Sequence, residues 1–192
     1  MTFDYYFKRI LKDAFPSDII IDNDIKVGTL PLIIDLIIKI PPPFLKNEVQ
    51  NYSNTLPVLI RNFREINIIE YKSSHDIPNK GDLLKLFGYF GLYAEQNNFE
   101  LADLINQKCT LWYICCLKPK FLKKLTNKSK IVLEKGKGLY KISKSILGFN
   151  YFILIIDELE LKEENYPLLL NLKGKKLVEV IKKIIREGLI KN

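Results

Sequence analysis

The sequence contains few cysteine, histidine and tryptophan residues: its 192 residues include three cysteines, one histidine and one tryptophan. The cysteines are odd in number, Cys115 and Cys116 are adjacent, and no Cys-x-x-Cys pair exists, which argues against a disulfide framework and a zinc site. We therefore expect a reducing, cytoplasmic compartment. A chain of this length should remove roughly 70% of its unfolded surface from water on folding, so it needs no cross-link or structural metal.

Long hydrophobic runs are also absent. No window reaches the roughly 18 uninterrupted apolar residues of a membrane helix. The first residues, MTFDYY, lack the basic and then apolar layout of a signal peptide, so we expect neither secretion nor membrane insertion. Hydrophobic residues make up 47% of the chain and charged residues 27%, which is typical of one globular domain over 1–192.

Several catalytic motifs are missing as well. There is no Gly-x-Ser-x-Gly of a serine hydrolase, and a cysteine protease would need His75 to reach a cysteine in a buried strand. The segment 135–138 (KGKG) does not have Walker A spacing and predicts a hairpin turn. We expect His75 to be solvated or to cap a turn, with a general base or phosphate contact as the alternative, and Trp112 to be a core residue.

Positive charge is concentrated in the second half of the chain. The net charge is +8, with 11 basic and 13 acidic residues in 1–100 but 19 and 9 in 101–192. The segment 117–150 contains ten lysines and only one acidic residue, Glu134. Such a segment favours binding of a nucleic-acid backbone, with four candidate contacts at Lys118, Lys120, Lys123 and Lys124. The alternative is a lysine-rich composition on a solvated surface, since 26 of the 30 basic residues are lysine.

Hydrophobic periodicity and turn residues divide the chain into helices and strands. The expected helices cover 3–15, 82–96 and 175–187. The expected strands cover 19–27, 30–40, 66–72, 109–116 and 151–156, with one hairpin turn at Gly28-Thr29 and another hairpin over 133–141. Residues 44–62 are expected to form a loop or a partly structured connection. This order predicts an α/β sheet covered by helices.

Two glycines interrupt the helix expected over 82–96. Gly88 and Gly91 each cost roughly 1 kcal/mol relative to alanine in a helix interior. We expect them to allow close packing of the helix against the sheet.

Two apolar strands carry carboxylates that need a partner, because desolvating an ionised group costs several kcal/mol. Asp35 lies inside the run 32–40 (LIIDLIIKI), where strict alternation places Leu32, Ile34, Leu36, Ile38 and Ile40 on one face and Asp35 on the other. In the strand 66–72 the same alternation places Glu70 and Lys72 on one face. If the two strands are neighbours, Asp35, Glu70 and Lys72 converge.

Two carboxylates so placed form an oxygen-ligand site for a hard divalent cation such as Mg²⁺. A nearby lysine stabilises developing charge or positions a water, and phosphodiester hydrolysis is the chemistry that needs this set. The alternative is a half-exposed sheet face on which Glu70 pairs with Lys39 across the strands. Of the three D/E-x-K triplets, only Glu70-Tyr71-Lys72 follows an apolar strand with an acid and precedes a helix; those at Asp24 and Glu160 do not.

Asp35 and Glu70-Tyr71-Lys72, in the order helix, strand, strand, strand, helix, strand, resemble the PD-(D/E)XK nuclease superfamily over about residues 1–117. The resemblance implies a restriction-endonuclease-like mixed sheet flanked by helices, with the lysine-rich segment 117–150 and a C-terminal strand and helix over 151–192 as additions. The chain departs from the motif at Ile34, where the superfamily has proline. The segment 66–94, with GYFGLYA at 88–94, also resembles recombination-promoting, transposase-like nucleases.

The resemblance implies roles for individual residues. Asp35 and Glu70 would bind the metal, Tyr71 would add its main chain, and Lys72 would be the catalytic lysine. Lys85, with Tyr89 one turn further on, would fill the role of a lysine on the following helix. Asp4 or Asp13 would supply the acid that members carry on the first helix.

The resemblance also implies an Mg²⁺- or Mn²⁺-dependent endonuclease acting on DNA, with no membrane partner and with a homodimer left open. A catalytically silent nucleic-acid- or partner-binding module with the same fold is the alternative function. A third possible function is that of a purely structural subunit.

Overall fold

The computed structural model describes residues 3–28, 32–42, 56–100, 102, 108–129, 132–142 and 150–189. The helices are α1 (Phe3–Ala14), α2 (Pro57–Ile60), α3 (Lys80–Gln96), α4 (Lys120–Ser129), α5 (Tyr166–Leu169) and α6 (Gly174–Arg186). The strands are β1 (Ile20–Val27), β2 (Leu32–Lys39), β3 (Ile66–Lys72), β4 (Cys109–Cys115), β5 (Val132–Gly136), β6 (Leu139–Ile142) and β7 (Asn150–Ile155). Short 3₁₀ turns cover Ile156–Glu158 and Glu163–Asn165.

All seven strands form one mixed sheet in the order β1-β2-β3-β4-β7-β6-β5. The pairs β3–β4 and β4–β7 are parallel, and the other neighbours are antiparallel. The expectation of an α/β sheet flanked by helices is therefore confirmed. β7 lies between β4 and β6, so the C-terminal strand is part of the centre of the sheet and not an addition at its edge.

Helices cover both faces of the sheet and bury two apolar clusters. One cluster, the α1-side core, receives side chains from the first helix and from the three helices α2, α5 and α6: Phe7, Leu11, Leu59, Leu168 and Ile184. The other, the α3-side core, receives side chains from α3 and α4: Leu86, Phe90 and Leu122. The central strands β4 and β7 are buried along their whole length, because helices cover both faces of the sheet there.

Most sequence-based elements are confirmed to within a few residues. The β1–β2 hairpin forms, and Gly28 has a φ of 70° at its turn, whose remaining residues 29–31 lie outside the described residues. α3 begins after Asn79, which forms a capping box with Asp82. Of the expected connection 44–62, the structure describes 56–62, which includes α2. No helix in the described ranges has both the length and the apolar content to cross a bilayer.

The lysine-rich segment contains a helix that the sequence reading missed. α4 places Phe121, Leu122 and Leu125 against the α3-side core, while Lys120, Lys123 and Lys124 are exposed. The net charge of this segment obscured a short amphipathic pattern, because three apolar residues within two turns suffice to bury one face.

The packing explanation for the two glycines of α3 is wrong. Gly88 and Gly91 are exposed, and beyond the backbone of the helix itself no atom of the described residues lies within 4 Å of a Cβ atom added at either. They therefore weaken the helix with no packing gain from the described residues.

The expected face of β2 is also wrong in part. Leu32 and Ile34 pack on the α3-side core, whereas Leu36 and Ile38 pack on the α1-side core. The alternation of side chains therefore changes at Asp35, and both faces of this strand are covered by apolar residues. A left-handed residue on the neighbouring strand, Asp24 with a φ of 51°, lies opposite this point in the register.

Candidate active site

An opening between β2 and β3 forms the candidate site. The two strands pair antiparallel only from Lys39 with Ile66 to Leu36 with Ile69. Asp35 and Glu70 are the next residues after the last pair. The main-chain N–H of Tyr71 donates a 2.8 Å hydrogen bond to Oδ2 of Asp35, so a carboxylate replaces the ladder partner at this point.

Glu70 is buried with 2% of its surface exposed, and two lysines neutralise it. Nζ of Lys72, on the same strand, lies 2.7 Å from Oε1 of Glu70. Nζ of Lys85, on α3, lies 4.0 Å from the same oxygen. Period-two alternation on β3 and the packing of α3 against that face therefore bring one acid and two cations together.

Asp35 and Glu70 both lie just beyond the last pair of β2 and β3, and their mutual repulsion contributes to the pKa of Asp35. Burial and then the negative charge of Glu70 raise the pKa of Asp35 to about 7, against the opposing effect of the Tyr71 N–H. Asp4 raises this pKa further and Lys72 lowers it. Two like charges held in a partly dry site repel each other, and a cation between them relieves the repulsion.

Lys72 carries a positive charge in this site. Burial favours its neutral amine, but the hydrogen bond to Glu70 and the charges of Glu70, Asp82 and Asp35 outweigh burial and raise the pKa of Lys72. The ammonium form can donate hydrogen bonds to an anion or neutralise developing charge, but it cannot accept a proton. The hydrogen bond with Tyr89, against the effect of burial, likewise raises the pKa of Lys85, and the Lys85 Nζ lies 4.9 Å from the centre of the Tyr89 ring.

The side chain of Tyr71 lies away from the site, in the α1-side core. Its ring stacks on Phe7 with centroids 3.9 Å apart, and its hydroxyl lies 3.2 Å from Sγ of Cys116. Tyr71 can therefore reach the site only through its main chain.

The alternative pairing of Glu70 with Lys39 is wrong. Nζ of Lys39 lies 2.9 Å from Oδ2 of Asp22 on β1, and Glu70 pairs with Lys72 instead. Of the two acids on the first helix, only Asp4 acts electrostatically on Asp35. Asp13 is exposed and pairs with Arg9 at 3.6 Å.

Asp82 is a site neighbour that sequence reasoning missed. It is 8% exposed, accepts a 2.8 Å hydrogen bond from the Tyr113 hydroxyl and contributes to the raised pKa of Lys72. Tyr113 in turn lies opposite Glu70 in the parallel register of β3 and β4. The capping box that begins at Asn79 is a local signal for the place of Asp82 in the helix, but only the tertiary structure brings it near Lys72.

The donor set fits a hard divalent cation. Within the described residues, no hydrogen bond is made to the second oxygen of either carboxylate, Oδ1 of Asp35 or Oε2 of Glu70. Carboxylate oxygens with a main-chain carbonyl are ligands that Mg²⁺ accepts. No group of three or more His, Cys, Asp or Glu residues suited to a metal occurs in the part of the chain that the structure describes, so a cation here would have two side-chain ligands.

The segment with the predicted nucleic-acid contacts begins at the same end of the strands as Lys72. The N–H of Cys116 donates to the carbonyl of Lys72, and the N–H of Asp157 donates to the carbonyl of Cys116, both at 3.0 Å. The ends of β3, β4 and β7 are therefore level, and the chain continues from β4 through Lys118 into α4.

The four candidate lysines differ in their environment. Nζ of Lys118 lies 2.6 Å from Oε1 of Glu158 and 3.0 Å from the Tyr140 hydroxyl, and these two hydrogen bonds raise the pKa of Lys118. Its charge is therefore compensated within the protein. The remaining three are exposed on α4: Lys120, Lys123 and Lys124. Residues 130–131 and 143–149 of the basic segment lie outside the described residues.

The three secondary candidates lie in a turn, in the core and in a hairpin. His75 is exposed within the turn that Ser73 and Asp76 stabilise. Trp112 is fully buried in the α1-side core, as expected. The segment 135–138 spans the end of β5 and the hairpin turn at residues 137–138 that joins it to β6, with Gly138 at a φ of 75°.

Comparison with known proteins adds no relative: no protein-family model, no curated protein and no solved structure matches this chain. The function must therefore be argued from the site.

Proposed function

We propose that the protein is a metal-dependent phosphodiesterase of the PD-(D/E)XK type, an endonuclease acting on DNA. The observation that carries the proposal is the convergence of Asp35, Glu70 and Lys72 at the opening between β2 and β3. The order of helix, two antiparallel strands, the E-x-K strand, helix and parallel strand supports a restriction-endonuclease-like core. Ile34 in place of proline is the departure from the motif.

Asp35 and Glu70, with the main chain of Tyr71, would hold Mg²⁺ or Mn²⁺. The ion supplies positive charge that polarises a phosphate and lowers the pKa of a bound water. The remaining chemistry falls to the chain's own cations. Lys72 is held beside Glu70 as an ammonium, so its task is to donate to a phosphate oxygen and neutralise charge, and not to act as a base.

Lys85 provides a second positive charge at the rim of the site. Its side chain is 48% exposed, against 20% for Lys72. An exposed lysine on α3 could bind the DNA phosphate next to the one that reacts. Such phosphate contacts position the DNA backbone without reading its sequence.

The exposed lysines of α4 would hold the DNA backbone beside the site. Lys120, Lys123 and Lys124 follow directly on the strand end that is level with Lys72. Binding through such contacts releases counterions, so it weakens as salt rises. A cytoplasmic location and a homodimer stay predictions.

Plasmid nicking tests the proposal. Supercoiled plasmid with Mg²⁺ or Mn²⁺ should be nicked by the wild type and left intact when EDTA is present. Glu70→Ala and Lys72→Ala should abolish nicking. Lys39→Ala is the matched control, because it removes an ion pair of the same sheet on the side of β1 and should leave nicking unchanged. Equal nicking by all four proteins would identify a contaminant and refute the proposal.

A catalytically silent module that binds nucleic acid is the second candidate. The ammonium of Lys72 already neutralises Glu70, and this favours a site that is stable without metal. Calorimetry separates the two functions: heat on Mn²⁺ addition that Asp35→Ala removes supports the enzyme. Salt-dependent DNA binding with no such heat supports the silent module.

A further inference from the structure

The β1–β2 ladder is interrupted at one position, directly opposite the candidate site. The two strands pair in one constant register from Ile20 with Lys39 to Val27 with Leu32, but the pair that this register would form between Asp24 and Asp35 is not made. Asp24 adopts a φ of 51°, in the left-handed region that residues with a side chain seldom occupy. Such outliers persist only where the surroundings hold them.

Both strands exchange faces at this interruption. On β2, Ile34 packs on the α3-side core and Leu36 on the α1-side core, although they are two residues apart. On β1, Ile25 and Ile21 change sides in the same way. Asp35 lies at the point of exchange, and its carboxylate accepts the Tyr71 N–H of the next strand.

Lys8 of α1 ties the helix to this interruption. It is 7% exposed, and its Nζ lies 2.7 Å from Oδ1 of Asp24 and 2.9 Å from Oδ2 of Asp4. Burial opposes the charged form, but the hydrogen bonds to Asp24 and Asp4 outweigh it and raise the pKa of Lys8. A nearly buried ammonium with two carboxylate partners resists displacement of either partner, because each carboxylate offsets the cost of its desolvation.

We propose that Asp24 and Lys8 are positioning residues, whose ion pair holds the left-handed interruption of β1 and thereby directs the Asp35 carboxylate into the opening between β2 and β3. Strand irregularities next to active sites commonly redirect a side chain in this way. The inference rests on the proposed function, because a metal site would explain why the orientation of the Asp35 carboxylate matters. That Asp24 and Lys8 set this orientation is a separate claim, which can be tested without metal.

Hydrogen exchange of two main-chain amides tests the geometry without any activity. The Tyr71 amide donates to Asp35, whereas the Ile40 amide, at the other end of the β2–β3 contact, donates to the carbonyl of Glu65 at 2.7 Å. Lys8→Met keeps a long apolar side chain and removes the ammonium. It should speed exchange at Tyr71 by about tenfold relative to Ile40, because only the Asp35 contact is released.

Three further variants keep the test sharp. Asp24→Val opposes the left-handed conformation and should speed exchange at Tyr71 as Lys8→Met does. Asn tolerates that conformation and keeps a hydrogen-bond acceptor. In Asp24→Asn the exchange rate of the Tyr71 amide should therefore stay within about threefold of the wild-type rate. Lys39→Met removes the neighbouring ion pair with Asp22 on the same hairpin and should leave the ratio of the two amides unchanged.

The outcomes distinguish the two proposals. Unchanged exchange at Tyr71 in Lys8→Met and Asp24→Val, or equal acceleration of both amides, refutes the positioning role. Mn²⁺ calorimetry on the same proteins should show a loss of affinity of about tenfold or more for the two disruptive variants. Wild type that takes up no Mn²⁺ would refute the proposed function, while the exchange ratio would still decide the positioning role.

Discussion

Replacing Asp35 by asparagine should stabilise the metal-free protein, although it removes a residue of the candidate site. Burial and the charge of Glu70 raise the pKa of Asp35 from 3.8 to about 7, with Asp4 of α1 acting in the same direction and Lys72 of β3 against it. Asparagine has no charge to repel Glu70, and its side-chain oxygen can still accept the Tyr71 N–H.

The sign follows from proton binding. Between pH 3.8 and about 7 the folded state keeps a proton on Asp35 that the unfolded state has released, so the stability of the wild type falls as the pH rises through this window. One pKa unit corresponds to about 1.4 kcal/mol, which sets an upper limit of about 4 kcal/mol at pH 8. Because Asp35 is only partly buried, water screens part of the repulsion, and we expect the free energy of unfolding to rise by about 2 kcal/mol in Asp35→Asn.

Urea unfolding in EDTA at pH 8 and at pH 4.5 measures this effect. The advantage of Asp35→Asn should be largest at pH 8 and shrink toward pH 4.5. Asp22→Asn is the control, since its carboxylate pairs with Lys39 and its loss should cost at most about 1 kcal/mol. An Asp35→Asn protein that is less stable than wild type at pH 8, or whose advantage grows on acidification, would refute the reasoning.

Magnesium supplies a second arm of the same experiment. If the two carboxylates hold the ion, added Mg²⁺ should raise the unfolding midpoint of wild type and leave that of Asp35→Asn unchanged, because a ligand stabilises only the state that binds it. No shift in either protein would leave the pH effect intact and count against the metal site.

Three other predictions follow from the packing and the charges. Gly88→Ala should raise the free energy of unfolding by about 0.5–1 kcal/mol in urea, since nothing in the described structure meets the added Cβ; a loss of stability would contradict this. Lys124→Ala should reduce the dependence of log K on log salt in DNA binding by about one, whereas Lys118→Ala should change it little because Glu158 already compensates that charge; equal effects would contradict the assignment. Phe7→Ala, which removes a fully buried ring, should cost about 3–5 kcal/mol in the same urea assay, and a cost below about 1 kcal/mol would show that the ring is not packed as described.

Local patterns determined much of this protein. The strands and the helices α1, α3 and α6 follow from periodicity, turn residues and caps, whereas α2, α4 and α5 were not predicted. The proximity of Glu70 to Lys72 follows from their spacing, because residues two apart on a strand share a face. The hairpin turn at Gly28 and the terminal helix were likewise visible in the residues themselves. Each of these features depends on contacts within a few residues along the chain.

Tertiary structure alone decided the rest. The change of faces at Asp35 coincides with a left-handed residue eleven positions earlier, at Asp24, and strict alternation along β2 could not reveal it. The approach of Asp82 to the site, the place of Asp4 rather than Asp13 near Asp35, and the insertion of β7 beside β4 also join residues that are distant in the chain. Such contacts are set by which apolar faces can be buried together over the whole sheet, and a pattern read one segment at a time does not contain that information.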